Sequence, residues 1–173
     1  MSDKQLILRE AREDELDAVS LLIRDAYQQY EKSLPPEAWK SYVEDMMNVR
    51  GRLNESQLIV AETDGQLAGA VTLYLAAEYS SQEGWPSGWA GIRLLAVRPA
   101  YRDRGIGRAL MEECIRRCLQ QGIATIGLHT TEIMAVARGM YERMGFARVP
   151  EFDFHPAPGV VVMAYQLDLK PLA

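Results

Sequence analysis

The chain has 173 residues, 48% hydrophobic and 25% charged, which suits a single globular domain over residues 1–173 with a sizeable core. No run of eighteen apolar residues and no basic-then-apolar leader is present, which argues against a membrane span or a secretory signal; a soluble cytoplasmic protein is expected. The net charge of −5 is uneven: residues 1–97 carry 9 basic and 16 acidic side chains (−7), residues 98–117 carry 6 and 3 (+3), and residues 118–173 carry 4 and 5 (−1). One short basic segment in an acidic chain argues against a nucleic-acid surface and for one local anion.

Gln5–Arg9 alternates like a strand, and Leu16, Val19, Ser20, Leu22, Ile23, Ala26, Tyr27 and Tyr30 then follow the spacing of an amphipathic helix. Pro35-Pro36 breaks it, and Glu37–Val49 predicts a second helix with Gly51 as its stop. Gln57–Glu62 and Gln66–Ala76 are strand-like runs joined by Thr63-Asp64-Gly65, a hairpin signal. The Gly- and Trp-containing stretch Glu78–Gly91 reads as a loop, and Ile92–Val97 as the next strand. Gly105–Gln121 is helical, capped by Gly122; Ala124–His129 is a strand; Ile133–Met144 is a helix closed by Gly145. Phe146–Val149 and Val160–Leu169 supply the last two strands, around the turn Pro156-Ala157-Pro158-Gly159. The order βααβββαβαββ implies an α/β fold, a mixed sheet of about seven strands with helices on both faces.

Only two histidines, His129 and His155, are present, so a multi-His metal centre is excluded by count. Cys114 and Cys118 lie four apart in a helical pattern and read as small buried hydrophobes. No metal is implied.

The chemistry concentrates where Leu94–Val97 passes through Arg98-Pro99-Ala100-Tyr101-Arg102-Asp103-Arg104-Gly105-Ile106-Gly107-Arg108 into a helix. A helix N-terminus presents unpaired N–H groups and a positive dipole end, and both favour phosphate. Gly105 and Gly107 lack Cβ, so a diphosphate can approach the backbone, while Arg102, Arg104 and Arg108 add charge. A P-loop would require Gly-Lys-Ser/Thr where Gly107-Arg108-Ala109 stands. A dinucleotide fingerprint would require glycine at Leu110 and an acid near Ala124–His129.

The hexad Arg102-Asp103-Arg104-Gly105-Ile106-Gly107 matches the pattern Gln/Arg-x-x-Gly-x-Gly/Ala. With Leu95-Ala96-Val97-Arg98-Pro99 before it and Met140-Tyr141-Glu142-Arg143-Met144-Gly145-Phe146 after it, the chain resembles the GNAT (GCN5-related) N-acetyltransferases over nearly its whole length. The resemblance implies the GNAT fold, with a mostly antiparallel sheet whose parallel strands 4 and 5 splay apart, and acetyl-CoA or a related acyl-CoA held between the strands ending at Val97 and His129. Leu95, Ala96 and Val97 would pair with the pantetheine amides. Arg102, Asp103, Arg104, Gly105, Ile106, Gly107 and Arg108 would meet the pyrophosphate. Ala137, four before Tyr141, keeps the family's usual small residue, whereas Met134 stands where relatives often have Asn.

The resemblance also implies a reaction, acetyl transfer to an amine, with Tyr141 as the acid that protonates the coenzyme A sulfur. Relatives often carry a glutamate as general base where this chain has Ala90 and Gly91. Glu78, Glu83, Glu132 and His129 are the substitutes open to it. Tyr27, Tyr30, Trp39 and Tyr42, with Trp85, Trp89 and Phe152-Asp153-Phe154-His155, could line a pocket for a cationic or aryl amine; the same residues equally suit a core. Three readings stay open: a small-molecule amine acetyltransferase, a protein acetyltransferase acting on Lys or an N-terminus, and a non-catalytic acyl-CoA-binding module. Homodimers are common in the family.

Overall fold

The computed structural model describes residues 5–76 and 84–170. The opening alternation forms β1 (Leu6–Glu10), followed by α1 (Leu16–Tyr27), whose Leu16, Val19, Leu22 and Ile23 are buried. The α-helical pattern stops at Tyr27, and 28–33 tighten into 3-10 turns. Proline accounts for this, because Leu34 before Pro35 must be extended, and its φ of −125° and ψ of 150° are so. Pro36 then opens α2 (Pro36–Met47) at a position where no N–H is required.

Gly51 does not end that helix as expected. Asn48 ends it, and its side chain accepts the Gly51 N–H to start the short α3 (Val49–Arg52). The buried Arg52 folds back onto the carbonyls of Asp45 and Met46, which covers the end of α2.

β2 (Gln57–Thr63) and β3 (Gln66–Tyr74) form the expected hairpin; Asp64 and Gly65 both have positive φ, as a two-residue loop matched to strand twist requires. β4 (Ala90–Val97) starts two residues before the expected Ile92. Then come α4 (Ile106–Gln120), β5 (Thr125–Thr130) and α5 (Ala135–Arg143). The expected strand Phe146–Val149 shrinks to β6 (Ala147–Arg148), and an eighth strand appears, β7 (Phe154–Ala157), before β8 (Val160–Asp168). Two residues assigned to a turn, Pro156 and Ala157, thus belong to β7. Pro156 has no N–H for the ladder, and the β7–β8 register shifts between Phe154 and Ala157.

Hydrogen bonding links the strands in the order β1-β2-β3-β4-β5-β8-β6, with β7 also on β8. All these pairs whose register is described are antiparallel except β4 with β5, where Ala90–Ile92 run parallel to Ile126–Leu128. The fold is therefore mixed α/β with a mostly antiparallel sheet.

The chain divides into two compact units, residues 1–73 with 94–113 and residues 74–93 with 114–173. The first has a core built from α1, Met46, Ile59, Val60, Val71, Leu110 and Met111. An ion-paired cluster also sits there: Arg9 bonds Glu15 at 2.6 Å and Glu62 at 2.8 Å, and the Arg9 hydrogen bond holds the Glu15 carboxyl down at about 2. The second unit buries Cys114, Cys118, Ile126, Leu128, Phe146 and Tyr165. Burial pushes the Cys118 thiol up to about 12, which suits packing and not reactivity. No helix among the described residues is long and apolar enough to cross a membrane.

Candidate functional site

In the first unit, β4 departs from regular strand geometry at Leu94, whose φ of 54° is left-handed, a conformation that a leucine adopts only under constraint. One constraint is visible next to it. The Tyr27 hydroxyl donates to the Leu95 carbonyl at 2.9 Å, tying the end of α1 to the strand. Further along, the Arg98 N–H donates to Ala68 of β3 at 2.8 Å. Ala96 is buried, and Leu95 and Val97 are half-buried.

After Val97 the chain makes one 3-10 turn, Pro99–Tyr101, and reaches Arg102. Asp103 and Gly105 have φ of 63° and 76°, so the chain doubles back before α4 begins at Ile106. The first bond into the helix is Ala109 N–H to Gly105 at 3.0 Å. The N–H groups of Asp103 to Arg108 have no main-chain partner among the described residues, as the start of a helix requires. A Cβ on Gly105 would meet nothing within 4 Å, so space is open beside it. Arg102, Asp103, Arg104, Gly105 and Arg108 are exposed, Gly107 is half-buried, and Ile106 is buried, anchoring the turn. This arrangement fits a diphosphate: donors and a dipole end converge on an unobstructed surface.

The three arginines are less uniform than their sequence suggests. Arg102 donates to the Ala26 carbonyl at 3.0 Å, Arg104 lies 5.2 Å from the Tyr101 ring centroid, and Arg108 pairs with Glu112 at 2.9 Å. The Arg104 and Arg108 side chains are both exposed. Arg102 serves as a strut between the turn and α1.

In the second unit, Tyr141 lies on α5 with 7% of its surface exposed, its ring 5.9 Å from that of Phe146. Ala137, one turn earlier, is half-buried, and Met134 stands immediately before the helix. His129 is hydrogen-bonded: its Nε2 lies 2.9 Å from the Phe152 carbonyl, and its ring stacks on Trp85 at 4.6 Å. Glu132 is exposed, and Glu78 and Glu83 lie outside the described residues.

The aromatic residues form two groups. Tyr27, Tyr30, Trp39 and Tyr42 meet edge-to-face in the first unit, with centroids 5.9 to 6.3 Å apart. Trp85, Trp89, Phe152, Phe154 and His129 cluster in the second. The acid among the latter is structurally engaged: Asp153 takes two 2.7 Å bonds from Arg148 and one from the Ala164 N–H, and Arg148 draws its carboxyl down to about 2. The Tyr27–Leu95 and Arg102–Ala26 bonds were not anticipated from sequence, since each joins residues about seventy positions apart.

A family model for the acetyltransferase (GNAT) family matches residues 16–146. The chain belongs to the GNAT family. A curated relative, the [ribosomal protein bS18]-alanine N-acetyltransferase of Escherichia coli (strain K12), is 40% identical over 52 residues, 30% of this chain and 35% of that protein. The match thus spans about a third of the relative's length. Among solved GNAT structures, an acetyltransferase from Staphylococcus aureus Mu50 superposes with a TM-score of 0.71 at 19% identity, covering 96% of this chain and 100% of the other. The PaiA N-acetyltransferase of Thermoplasma acidophilum, in complex with coenzyme A, gives 0.70 at 19% identity over 92% and 98%. A GNAT acetyltransferase from Brucella melitensis with acetyl-CoA gives 0.66 at 21% over 98% and 91%. At these identities the structural likeness establishes the fold.

Proposed function

We propose that this GNAT protein transfers the acetyl group of acetyl-CoA to a primary amine of a small molecule by direct attack, with Tyr141 as general acid. The observation that carries this reading is the turn from Arg102 to Arg108, where the N–H groups of Asp103 to Arg108 have no main-chain partner among the described residues and space is open beside Gly105. Two structural neighbours solved with coenzyme A or acetyl-CoA support the same ligand class.

In this reading, Asp103 to Arg108 hold the diphosphate through main-chain N–H groups, while Leu95, Ala96 and Val97 offer strand-edge groups to the pantetheine amides. The thioester supplies an activated acetyl group. The amine nitrogen bonds to its carbonyl carbon, the carbon–sulfur bond breaks, the amine gives up a proton and the thiolate takes one. Tyr141 supplies the proton to sulfur. No general base is assigned to His129, whose Nε2 is engaged with Phe152.

A second reading, an N-terminal alanine of a protein as acceptor, is favoured by the 40% identical segment shared with the alanine N-acetyltransferase. Free-thiol release from acetyl-CoA, measured against small amines and an alanine-initiated peptide, separates the two readings. Tyr141→Phe, assayed with whichever acceptor reacts, is expected to lower kcat at least ten-fold with little change in KM for acetyl-CoA, since an acid acts in the transition state. An unchanged kcat removes Tyr141 from the reaction.

A further inference from the structure

In the second unit, the short strand β7 completes an aromatic corner at the end of β5. His129 stands opposite Ala164 in the β5–β8 ladder, and Phe154 stands opposite Val162 in the β7–β8 ladder. Ala164 and Val162 are two residues apart, so His129 and Phe154 share one face of this three-stranded ribbon. Their rings meet edge-on, with centroids 4.9 Å apart and planes 69° apart.

One arm of the corner is held rigid. The Trp85 ring stacks on His129 at 4.6 Å and lies against β5 at Gly127, where an added Cβ would meet it at 2.7 Å. A carbonyl oxygen only accepts, so the His129 Nε2, 2.9 Å from the Phe152 carbonyl, carries a proton and donates it to that bond. The stacking and the hydrogen bond together fix the imidazole plane. The other arm faces water: Trp85 is 4% exposed, whereas Phe154 is 38% exposed. Two rings set nearly at right angles let a third stack on one and meet the other edge-on, the arrangements that aromatic quadrupoles favour. A seat already ordered also spares the cost of ordering it on binding.

The charges beside the corner favour a neutral ring over a cation. Asp153, next to Phe154 in the chain, takes a 2.7 Å bond from Arg148 on each oxygen, and one oxygen also accepts the Ala164 N–H at 2.7 Å. Its carboxylate is thus engaged within the fold, and the Arg148–Asp153 pair is neutral as a whole. A cationic tail gains nothing from it.

We propose that the amine acceptor carries an aryl group and that His129 and Phe154 seat it. The proposal deepens the small-amine acetyltransferase reading and rests on it. His129 is the last residue but one of β5, and the chain then turns, with the Met134 N–H donating to the Thr131 carbonyl, into α5 and Tyr141, the acid of that reading. An aryl group beside His129 leaves the amine on a short alkyl arm to meet the thioester. Phe154 on this account determines specificity and takes no part in bond making.

The test is steady-state kinetics at saturating acetyl-CoA with 2-phenylethylamine, with 2-cyclohexylethylamine, which has like bulk and no π-system, and with 1,4-diaminobutane as a cationic tail. The unmodified protein is expected to favour the phenyl over the cyclohexyl amine about five-fold in kcat/KM, the size of one ring–ring contact. Phe154→Leu should lose that preference through KM for the amine, with kcat and KM for acetyl-CoA unchanged. Val161→Ala, at a residue 39% exposed and on the other face of β8 from Val162, should keep it. Equal kcat/KM for the two ring amines, a preference that survives Phe154→Leu, or a preference for 1,4-diaminobutane overturns the aryl seat and leaves acetyl transfer to small amines standing. Turnover of none of the three overturns the seat, and if an alanine-initiated peptide reacts instead, the small-amine reading falls with it. Should Phe154→Leu fail to fold, Phe154→Tyr, which keeps the ring, should retain the preference and Phe154→Met should lose it; the opposite result in either variant overturns the seat.

Discussion

Gly69 of β3 is the position at which a single methyl group should act from a distance on the turn proposed to hold the diphosphate. A Cβ built there lies 2.9 Å from the Ala96 carbonyl oxygen, 3.1 Å from Leu110 Cδ1 and 3.2 Å from Ile106 Cγ2, whereas ordinary contact begins at 3.4 Å. The two side-chain ends can rotate away. The Ala96 oxygen is main chain, so β4 itself must move by about half an ångström, the shortfall in that contact. Over-packing of this kind costs about 1–3 kcal/mol. Replacing glycine in a strand returns about 0.5–1 kcal/mol through reduced freedom of the unfolded chain. Mid-range values leave a net destabilisation of about 1 kcal/mol, or a fall in Tm of about 2–4 °C for a chain of this size.

The displaced atoms matter more than the total. Ala96 and Ile106 bracket the turn that presents the N–H groups, so acetyl-CoA affinity should fall several-fold in Gly69→Ala. Urea unfolding gives the stability change and calorimetry gives the affinity. A matched control is Gly122→Ala, at the left-handed end of α4 with φ of 70° and no atom within 4 Å, which should lose about 1 kcal/mol of stability and no affinity. Gly69→Ala with reduced stability but unchanged affinity would refute the link between β3 and the turn, and unchanged stability would refute the packing argument itself.

Tyr27→Phe removes the donor to the Leu95 carbonyl, so stability should fall by about 1–2 kcal/mol and acetyl-CoA binding should weaken; unfolding and calorimetry check both, and equality with the unmodified protein in each would show the bond to be dispensable. Gly127→Ala places a Cβ 2.7 Å from the Trp85 ring, which is stacked against His129 and Trp89. A loss of about 1–3 kcal/mol with an altered near-UV circular dichroism spectrum is expected, and an unaltered spectrum would contradict this stacking. The carboxyls of Glu15 and Asp153 are held at about 2, down from ordinary values of 4.5 and 3.8, chiefly by hydrogen bonds from Arg9 and Arg148. Depressed carboxyls stabilise the fold fully above their unfolded values, and that contribution is lost as pH falls from about 4.5 toward 2. Urea midpoints should drop across that window, less steeply in Glu15→Gln and Asp153→Asn, and a midpoint flat with pH would argue against both pairs.

Local chemistry explains which parts of this protein are legible in one dimension. The hairpin at Asp64-Gly65 and the start of α4 after Gly105 depend on positive φ values within a few residues, so glycine itself reveals them. The apolar faces of α1 and α4 follow helical spacing for the same reason. Where local signals compete, the expectations slip. Asn48, and not Gly51, ends α2, because a side-chain acceptor for an N–H outweighs glycine's freedom there. A short extra strand, β7, forms in a Pro-containing stretch because β8 presents a partner edge to it.

Arg102-Asp103-Arg104-Gly105-Ile106-Gly107 by itself determined where main-chain donors would be freed, since they lie at the start of a helix. Tertiary structure decided what each neighbouring side chain does there. Three-dimensional packing turned Arg102 toward Ala26, brought the Tyr27 hydroxyl to Leu95 and accompanied a leucine at φ 54°. It also left the Arg98 Nε shielded and without a hydrogen-bond partner among the described residues. The physical reason is separation along the chain: partners 68 and 76 residues apart meet only when α1 packs beside β4, and nothing in either segment encodes the other's position.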